Sequence, residues 1–400
     1  MRVLCLDIEG GYGGSSRSLY ESARHLHKDV ELEVWCRRSG PVQDRYRALG
    51  ISCRVTPDMP HVSTLPRLSR NLYAFGRFVF QWQASRDFRR DLLIAARDRF
   101  DVVHFNHEGL FLLLRSLRSS VGPRKAMTLH VRTHLESTMF SRWQYRTISN
   151  NTDRVVFITE NEQARVAELA GGDVPGDVIY NIASPPEASV IPDEQLLHDP
   201  RFKVAVLSNY AWIRGIDRIV HVASVLDQQG RQDILFVLGG DISLSKSLPG
   251  TLGNIARNGG TLADYARQKG VEKMFRFLGH VSDPQRVLSA CDVLAKPTRE
   301  YNPWGRDILE AMAYAKPPIS VGTYNRFVED GVTGVLHPEF DAAQWASDLA
   351  ALADDRNRCK MLGNAAAKRV ANLCNGTDRA QDLLKLWQSA NDKVQGKCAA

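Results

Sequence analysis

Short apolar runs alternate with segments of helical periodicity along almost the whole chain. Val3–Leu6, Val30–Cys36, Val102–Phe105, Ala126–Leu129 and Val155–Ile158 read as strands. Between most of them lie amphipathic stretches such as Ser15–Leu26, with Leu19, Ala23 and Leu26 on one helical face. The rhythm restarts with Val204–Leu207, Ile234–Leu238, Phe275–Leu278, Val293–Ala295 and Pro318–Val321. Strand-helix alternation predicts an α/β chain of parallel sheets covered by helices, in two successive Rossmann-like domains. Residues 181–200 carry Pro185, Pro186, Pro192 and Pro200 without clear periodicity, which marks a linker. The expected domains are therefore 1–182 and 183–376. Residues 377–400 form a last helix whose Leu383, Leu384 and Trp387 suit it to pack back on the N-terminal domain. In such a chain a ligand is expected in a central cleft between the domains, at the carboxyl ends of the strands.

Composition narrows the class. Four hundred residues exceed one comfortable core, which agrees with two domains. The apolar share of 44% and charged share of 24% are those of a globular chain. Seven scattered cysteines without a C-x-x-C pair indicate neither a disulfide framework nor a zinc site. The first residues run straight into a strand, and no stretch of about 18 uncharged apolar residues occurs, so a cytoplasmic protein is expected. The net charge of +7 suits phosphate-bearing ligands or an anionic membrane surface. No nucleic-acid motif accompanies it, so no nucleic-acid partner is expected.

The segment from Asp292 to Ala313 carries the strongest chemistry. It reads as a strand ending at Lys296, a loop Pro297-Thr298-Arg299-Glu300-Tyr301-Asn302-Pro303-Trp304, then Gly305 and a helix. Gly305 would let a ligand approach the backbone. The amides of Asp307, Ile308 and Leu309, with the helix dipole, would then make a diphosphate site. Glu310, one turn on, is placed to accept from ribose hydroxyls or to lie in solvent. With Ala311-Met312-Ala313 following it, this segment resembles the C-terminal signature of the retaining GT-B glycosyltransferases of family four. Asp153-Arg154-Val155-Val156-Phe157-Ile158-Thr159, Asn181, Phe277-Leu278-Gly279 and Val328-Glu329-Asp330-Gly331-Val332-Thr333-Gly334 resemble further family segments, in family order. The resemblance implies the GT-B fold, a nucleotide-diphosphate sugar as donor, and transfer to an acceptor hydroxyl with retention.

Departures from the family pattern fall on the donor side. The first glutamate of the signature falls at Asn302, while Glu300 lies two residues upstream; either residue can take that role. In Ser208-Asn209-Tyr210-Ala211-Trp212-Ile213-Arg214-Gly215 the family's arginine and lysine for the diphosphate correspond to Asn209 and Arg214. Arg214 retains a bidentate cation, and Arg306 or Arg299 would compensate for the missing one. Gly10-Gly11-Tyr12-Gly13-Gly14 joins the first strand to the first helix. Read as a dinucleotide fingerprint it is degenerate, because Ser16 replaces the last glycine and the next strand ends Cys36-Arg37-Arg38. In the family this turn faces donor phosphates and acceptor, which assigns Gly13 and Gly14 there. His130 follows a strand where the family places a histidine near the donor sugar, with Val131 in place of the usual aspartate; His104 reads as structural.

Residues 66–99 hold eight arginines against three acids, a local charge of +5, with six aromatic residues interleaved. This suits either an interface on anionic lipid or a helical hairpin with solvated arginines. No D-x-D metal pair stands out, so no metal or other cofactor is expected beyond the donor substrate. The residues expected to carry transfer are His130, Asn302 and Glu310. Gly13, Gly14, Asn209, Arg214, Glu300, Gly305, Arg306, Asp307, Ile308 and Leu309 are expected to hold the donor. The acceptor is expected to be a glycan or lipid-linked, in glycan, polysaccharide or glycolipid biosynthesis, with possible peripheral contact at the inner face of the membrane. The competing readings are a nucleotide-sugar epimerase of the same fold and a non-catalytic sugar-nucleotide-binding protein.

Overall fold

The computed structural model describes residues 1–11, 14–62, 72–133, 137–186 and 190–399. The chain divides into two compact units, residues 1–182 with 376–400, and residues 183–375.

The first unit opens with β1 (Arg2–Asp7), α1 (Gly14–Leu26), β2 (Glu31–Cys36), α2 (Val42–Ala48) and β3 (Ser52–Val55). The helical pair α3 (Leu72–Ala84) and α4 (Arg86–Asp98) leads into β4 (Val102–Phe105) and α5 (Phe111–Val121). Then follow β5 (Ala126–Val131), α6 (Met139–Asn151), β6 (Arg154–Phe157), α7 (Glu160–Ala170) and β7 (Gly176–Val178). The strands form one parallel sheet in the order β3-β2-β1-β4-β5-β6-β7. A central parallel strand is covered on both faces, and β1 is apolar accordingly. Its Leu4 and Leu6 pack with Trp35, Phe105 and Leu114 on one face, while Val3 and Cys5 pack with Leu19, Ala23 and Val34 on the other.

The second unit holds α8 (Glu194–Leu197), β8 (Phe202–Leu207), α9 (Asp217–Gln228), β9 (Ile234–Gly239), α10 (Gly250–Arg257) and α11 (Leu262–Gln268). It continues through β10 (Phe275–Gly279), α12 (Pro284–Ala290), β11 (Val293–Lys296) and α13 (Arg306–Ala313). It ends with β12 (Pro318–Val321), β13 (Val335–His337), α14 (Ala342–Asp354) and α15 (Arg356–Leu373). Its six parallel strands run β10-β9-β8-β11-β12-β13 around a core that includes Phe202, Phe236, Ile319 and Trp345. Both sheets thus reverse direction next to their first strand, between β1 and β4 and between β8 and β11. At such a switch point the loops leave to opposite sides and open a crevice at the carboxyl edge.

The last helix, α16 (Gly376–Ala399), belongs to the first unit. Its Leu383, Leu386, Trp387, Ala390 and Val394 are buried in the cluster that holds α1 against the sheet. The Trp387 indole donates to Nδ1 of His104 at 3.3 Å, and the same nitrogen meets the Thr128 hydroxyl at 2.9 Å. Complete burial, reinforced by the Arg132 charge, lowers the His104 pKa to about 3, so the ring is neutral and can accept there. His104 is a docking residue for α16. Among the described residues no helix is long and apolar enough to cross a membrane.

Trp387→Ala removes a fully buried indole and should cost about 3–5 kcal/mol, the usual range for such truncations. Urea unfolding checks this; a loss below about 1 kcal/mol would mean that α16 does not anchor the unit.

Candidate functional site

At the switch point of the second unit, the loop after β8 and the loop after β11 are fastened to each other. Gly215 has φ +69°, and a Cβ there would lie 1.9 Å from the Pro297 carbonyl oxygen, so only glycine closes this contact. The Arg299 amide donates to the Ile213 carbonyl at 2.8 Å, and Arg218 donates to the carbonyls of Pro297 and Thr298 at 3.2 and 2.9 Å. The guanidinium of Arg299 lies 3.6 Å from the ring centre of Trp212. It also donates to both carboxylate oxygens of Asp217, at 2.8 and 2.6 Å. Asp217 opens α9 and its side chain is only 3% exposed.

Beyond this clamp, Gly305 sits ahead of α13 with φ +129°. A Cβ there would stand 2.8 Å from Nζ of Lys296, which comes up from the end of β11 and is 6% exposed. Lys296 donates to the Trp304 carbonyl and to Oδ1 of Asp307 at 2.9 Å. Its charge therefore lies under the glycine turn, and Asp307 serves it. The amide of Leu309 differs from expectation: it donates to the Gly305 carbonyl at 3.1 Å. It closes the first helical turn and cannot also bind a ligand. The amides at the helix entrance are those of Arg306, Asp307 and Ile308, ahead of that first bond. The side chains of Ile308 and Leu309 are buried in the unit. Glu310 is 8% exposed and accepts from Nε of Arg306 at 3.1 Å, so it is no solvated helix residue.

The two residues competing for the first-glutamate position lie together. Oδ1 of Asn302 accepts from the Thr298 hydroxyl at 2.9 Å, and its Nδ2 donates to Oε2 of Glu300 at 3.3 Å. The Glu300 amide donates to the same hydroxyl at 3.0 Å. Tyr301 between them takes φ +52°, a conformation that costs a non-glycine residue about 1 kcal/mol or more. Asn209 follows β8 and spends Oδ1 on the Asp241 amide at 2.8 Å, tying the loop after β8 to the loop after β9. Arg214 is exposed, with no ion pair to any described side chain. The two arginines expected to compensate for the missing cation are otherwise engaged, Arg299 by Asp217 and Arg306 by Glu310. Of these three arginines, Arg214 alone has no ion pair among the described residues.

In the first unit, Gly13 lies outside the described residues. Gly14 begins α1 with φ +43° and open space where a Cβ would be. Around the switch point the sheet carries a polar network of which sequence reasoning named only His130 as a site residue. Asp7, at the end of β1, is wholly buried and accepts from the Ser16 hydroxyl at 2.5 Å and from Nδ2 of Asn106 at 3.3 Å. Arg132 donates to Oδ1 of Asn106 at 2.5 Å and to Nδ1 of His130 at 3.0 Å. Burial, followed by the charge of Arg132, pushes the His130 pKa well down, so the ring is neutral. Because Arg132 only donates, Nδ1 must accept and Nε2 carries the proton. That Nε2 is buried and has no hydrogen-bond partner among the described residues. A charged residue closing an apolar strand, as Asp7 and Lys296 do, was the signal available in the sequence.

Arg299→Ala would leave the Asp217 carboxylate buried and unpaired, which costs about 3–5 kcal/mol in such settings. Denaturant unfolding of the variant measures it, and a loss under about 1 kcal/mol would show that the pair does not hold the two loops.

Comparison with known proteins follows the same division. The family model for glycosyl transferases group 1 matches residues 190–369, and that for glycosyltransferase family 4 matches residues 12–184. The D-inositol 3-phosphate glycosyltransferase of Nocardia farcinica is 26% identical over 251 residues, 60% of this chain and 53% of that protein. The alpha-D-kanosaminyltransferase of Streptomyces kanamyceticus is 30% identical over 171 residues, 42% of this chain and 41% of that protein. The chain thus spans about half the length of these curated relatives. Among solved structures, Anabaena HepE in complex with UDP-glucose superposes with a TM-score of 0.75 at 19% identity, covering 97% of this chain and all of that one. Sucrose-phosphate synthase from Thermosynechococcus elongatus gives 0.69 at 16%, covering both chains fully. At these identities the likeness is one of fold. With both units matched in order, the chain belongs to the GT-B glycosyltransferases of the family-four type.

Proposed function

We propose that this protein transfers a sugar from a nucleotide-diphosphate donor to an acceptor hydroxyl with retention of configuration. The observation that carries the reading is the clamped pair of loops at the β8/β11 switch point, where the exposed Arg214 and the glycine-led start of α13 share one edge of the sheet. A helix entrance and an unneutralised guanidinium suit a diphosphate. The UDP and UDP-glucose complexes of HepE lend the nucleotide sugar support.

In this reading Arg214 and the first amides of α13 stabilise charge developing on the departing diphosphate. The leaving phosphate oxygen takes the acceptor proton on the same face of the sugar, so no enzyme nucleophile is assigned. Glu310, fixed by Arg306, receives ribose hydroxyls, and Asn302 or Glu300 receives hydroxyls of the donor sugar. His130 presents Nε2–H to a ligand oxygen in its own unit. The acceptor is assigned as a glycan or a lipid-linked glycan in polysaccharide or glycolipid biosynthesis. We assign the protein to the cytoplasm, in peripheral contact with anionic lipid at the inner face of the membrane.

Arg214→Ala should weaken nucleotide-diphosphate binding by about 1.5–3 kcal/mol, the range for a charge-assisted hydrogen bond. Calorimetry on the folded variant measures this, alongside a screen of nucleotide sugars in which the product anomer is read by NMR. A donor epimerised without any acceptor would replace transfer by epimerisation. Binding without turnover across donors and acceptors would leave a sugar-nucleotide-binding protein.

A further inference from the structure

The arginine-rich α4 borders a groove whose lining includes none of the residues described at either switch point. Arg86, Arg89 and Arg90 share one face of α4, spaced as neighbours on consecutive turns. With α5 they border a groove of about 350 Å³. Leu93, Leu113 and Leu117 make its floor, and Ser116 and Ser120 line the α5 side.

None of the three arginines forms an ion pair with a described side chain, and the nearby Asp91 is bonded to Arg54 at 3.0 Å. Arg89 is held in place, its guanidinium stacked 4.3 Å from the Trp82 ring centre and donating to the Trp82 carbonyl at 3.2 Å. Its Nε is buried with no hydrogen-bond partner among the described residues. Burial and the neighbouring Arg86 lower its pKa, as expected where like charges crowd without an anion. Three cations over a leucine floor fit an anion attached to an apolar body.

The adjoining helix indicates what that body is. On α3, Phe75 is 54% exposed, Val79 38% and Phe80 72%. α3 holds Arg89 through Trp82, and its exposed apolar strip together with the cationic groove has the composition of an interfacial surface, in which aromatics enter the headgroup boundary and arginines meet phosphates. A small dissolved anion would use the arginines and leave both the leucine floor and the phenylalanines unexplained.

We infer that the α4–α5 groove receives the phosphate of an anionic lipid headgroup, with the exposed face of α3 entering the bilayer boundary beside it. This rests on the membrane contact proposed above and is independent of the donor site.

Flotation of the full chain at low salt, with phosphatidylcholine vesicles containing or lacking phosphatidylglycerol, tests it. The wild type should float only with the anionic vesicles. Arg89→Gln and the charge-neutral Ser120→Trp, which fills the groove from an exposed position, should each weaken this about tenfold. Arg97→Gln, about two turns along α4 and outside the groove, should change it less than about twofold. Melting temperature and UDP affinity should be unchanged in all three. Equal losses in Arg97→Gln, or no loss in Ser120→Trp, would make the attraction diffuse, overturning the groove while the membrane contact stands. Failure of the wild type to bind either vesicle would overturn both. Saturable binding of dissolved glycerol phosphate, lost in Arg89→Gln and without flotation, would assign the groove to a soluble phosphate and overturn the lipid claim.

Discussion

The ion pair between Arg299 and Asp217 is the constraint on which the second unit's switch-point loops depend. The loops after β8 and β11 leave the sheet where its winding reverses; the two strands pair, but their register ends at Ala205 and Leu294, so other contacts must fasten the loops beyond. Asp217 is buried and therefore needs a cation, and Arg299 meets it with both carboxylate oxygens engaged. In doing so the arginine also covers Trp212 and accepts a fixed backbone path through its bond to Ile213. Gly215 then closes on Pro297 at a distance that only a residue without Cβ allows. The position of Arg214, between Trp212 and Gly215, follows from these contacts.

The same logic governs charge at this edge. Lys296 is served by Asp307, Arg299 by Asp217 and Arg306 by Glu310, so three cations are spent on organising the loops and the helix entrance. Arg214 remains outside these pairs. Near the first unit's switch point the polar groups are instead joined in a hydrogen-bonded series from Asp7 through Asn106 to Arg132 and His130. That series fixes the tautomer of His130 and leaves its Nε2 without a partner among the described residues. A buried unsatisfied donor costs about 1–3 kcal/mol, a cost that a ligand oxygen would relieve.

Much of the fold was legible because the central strands are buried on both faces. Val3–Leu6, Val204–Leu207 and Ile234–Leu238 stand out as apolar runs and lie within β1, β8 and β9. The edge strands β3, β7 and β13 were not legible: Ser52–Val55 is short, polar and largely exposed, and so carries no apolar signal. The glycine at 305 and the helix after it could be read from local chemistry. The partners of Lys296, Asp217 and Arg132 could not, since each is defined by a loop that folding brings in from elsewhere. Leu309 shows the limit of reading a helix entrance from sequence. Which amide closes the first turn depends on where the helix starts, and a shift of one residue moves a donor from ligand to backbone.

Hydrogen–deuterium exchange with and without a nucleotide diphosphate most directly tests whether the β8/β11 edge is the donor site. Ligand should slow exchange in residues 209–217 and 297–310, with smaller changes at the far edge strand β13. Saturating ligand that protects other segments and leaves these two loops unchanged would contradict the account.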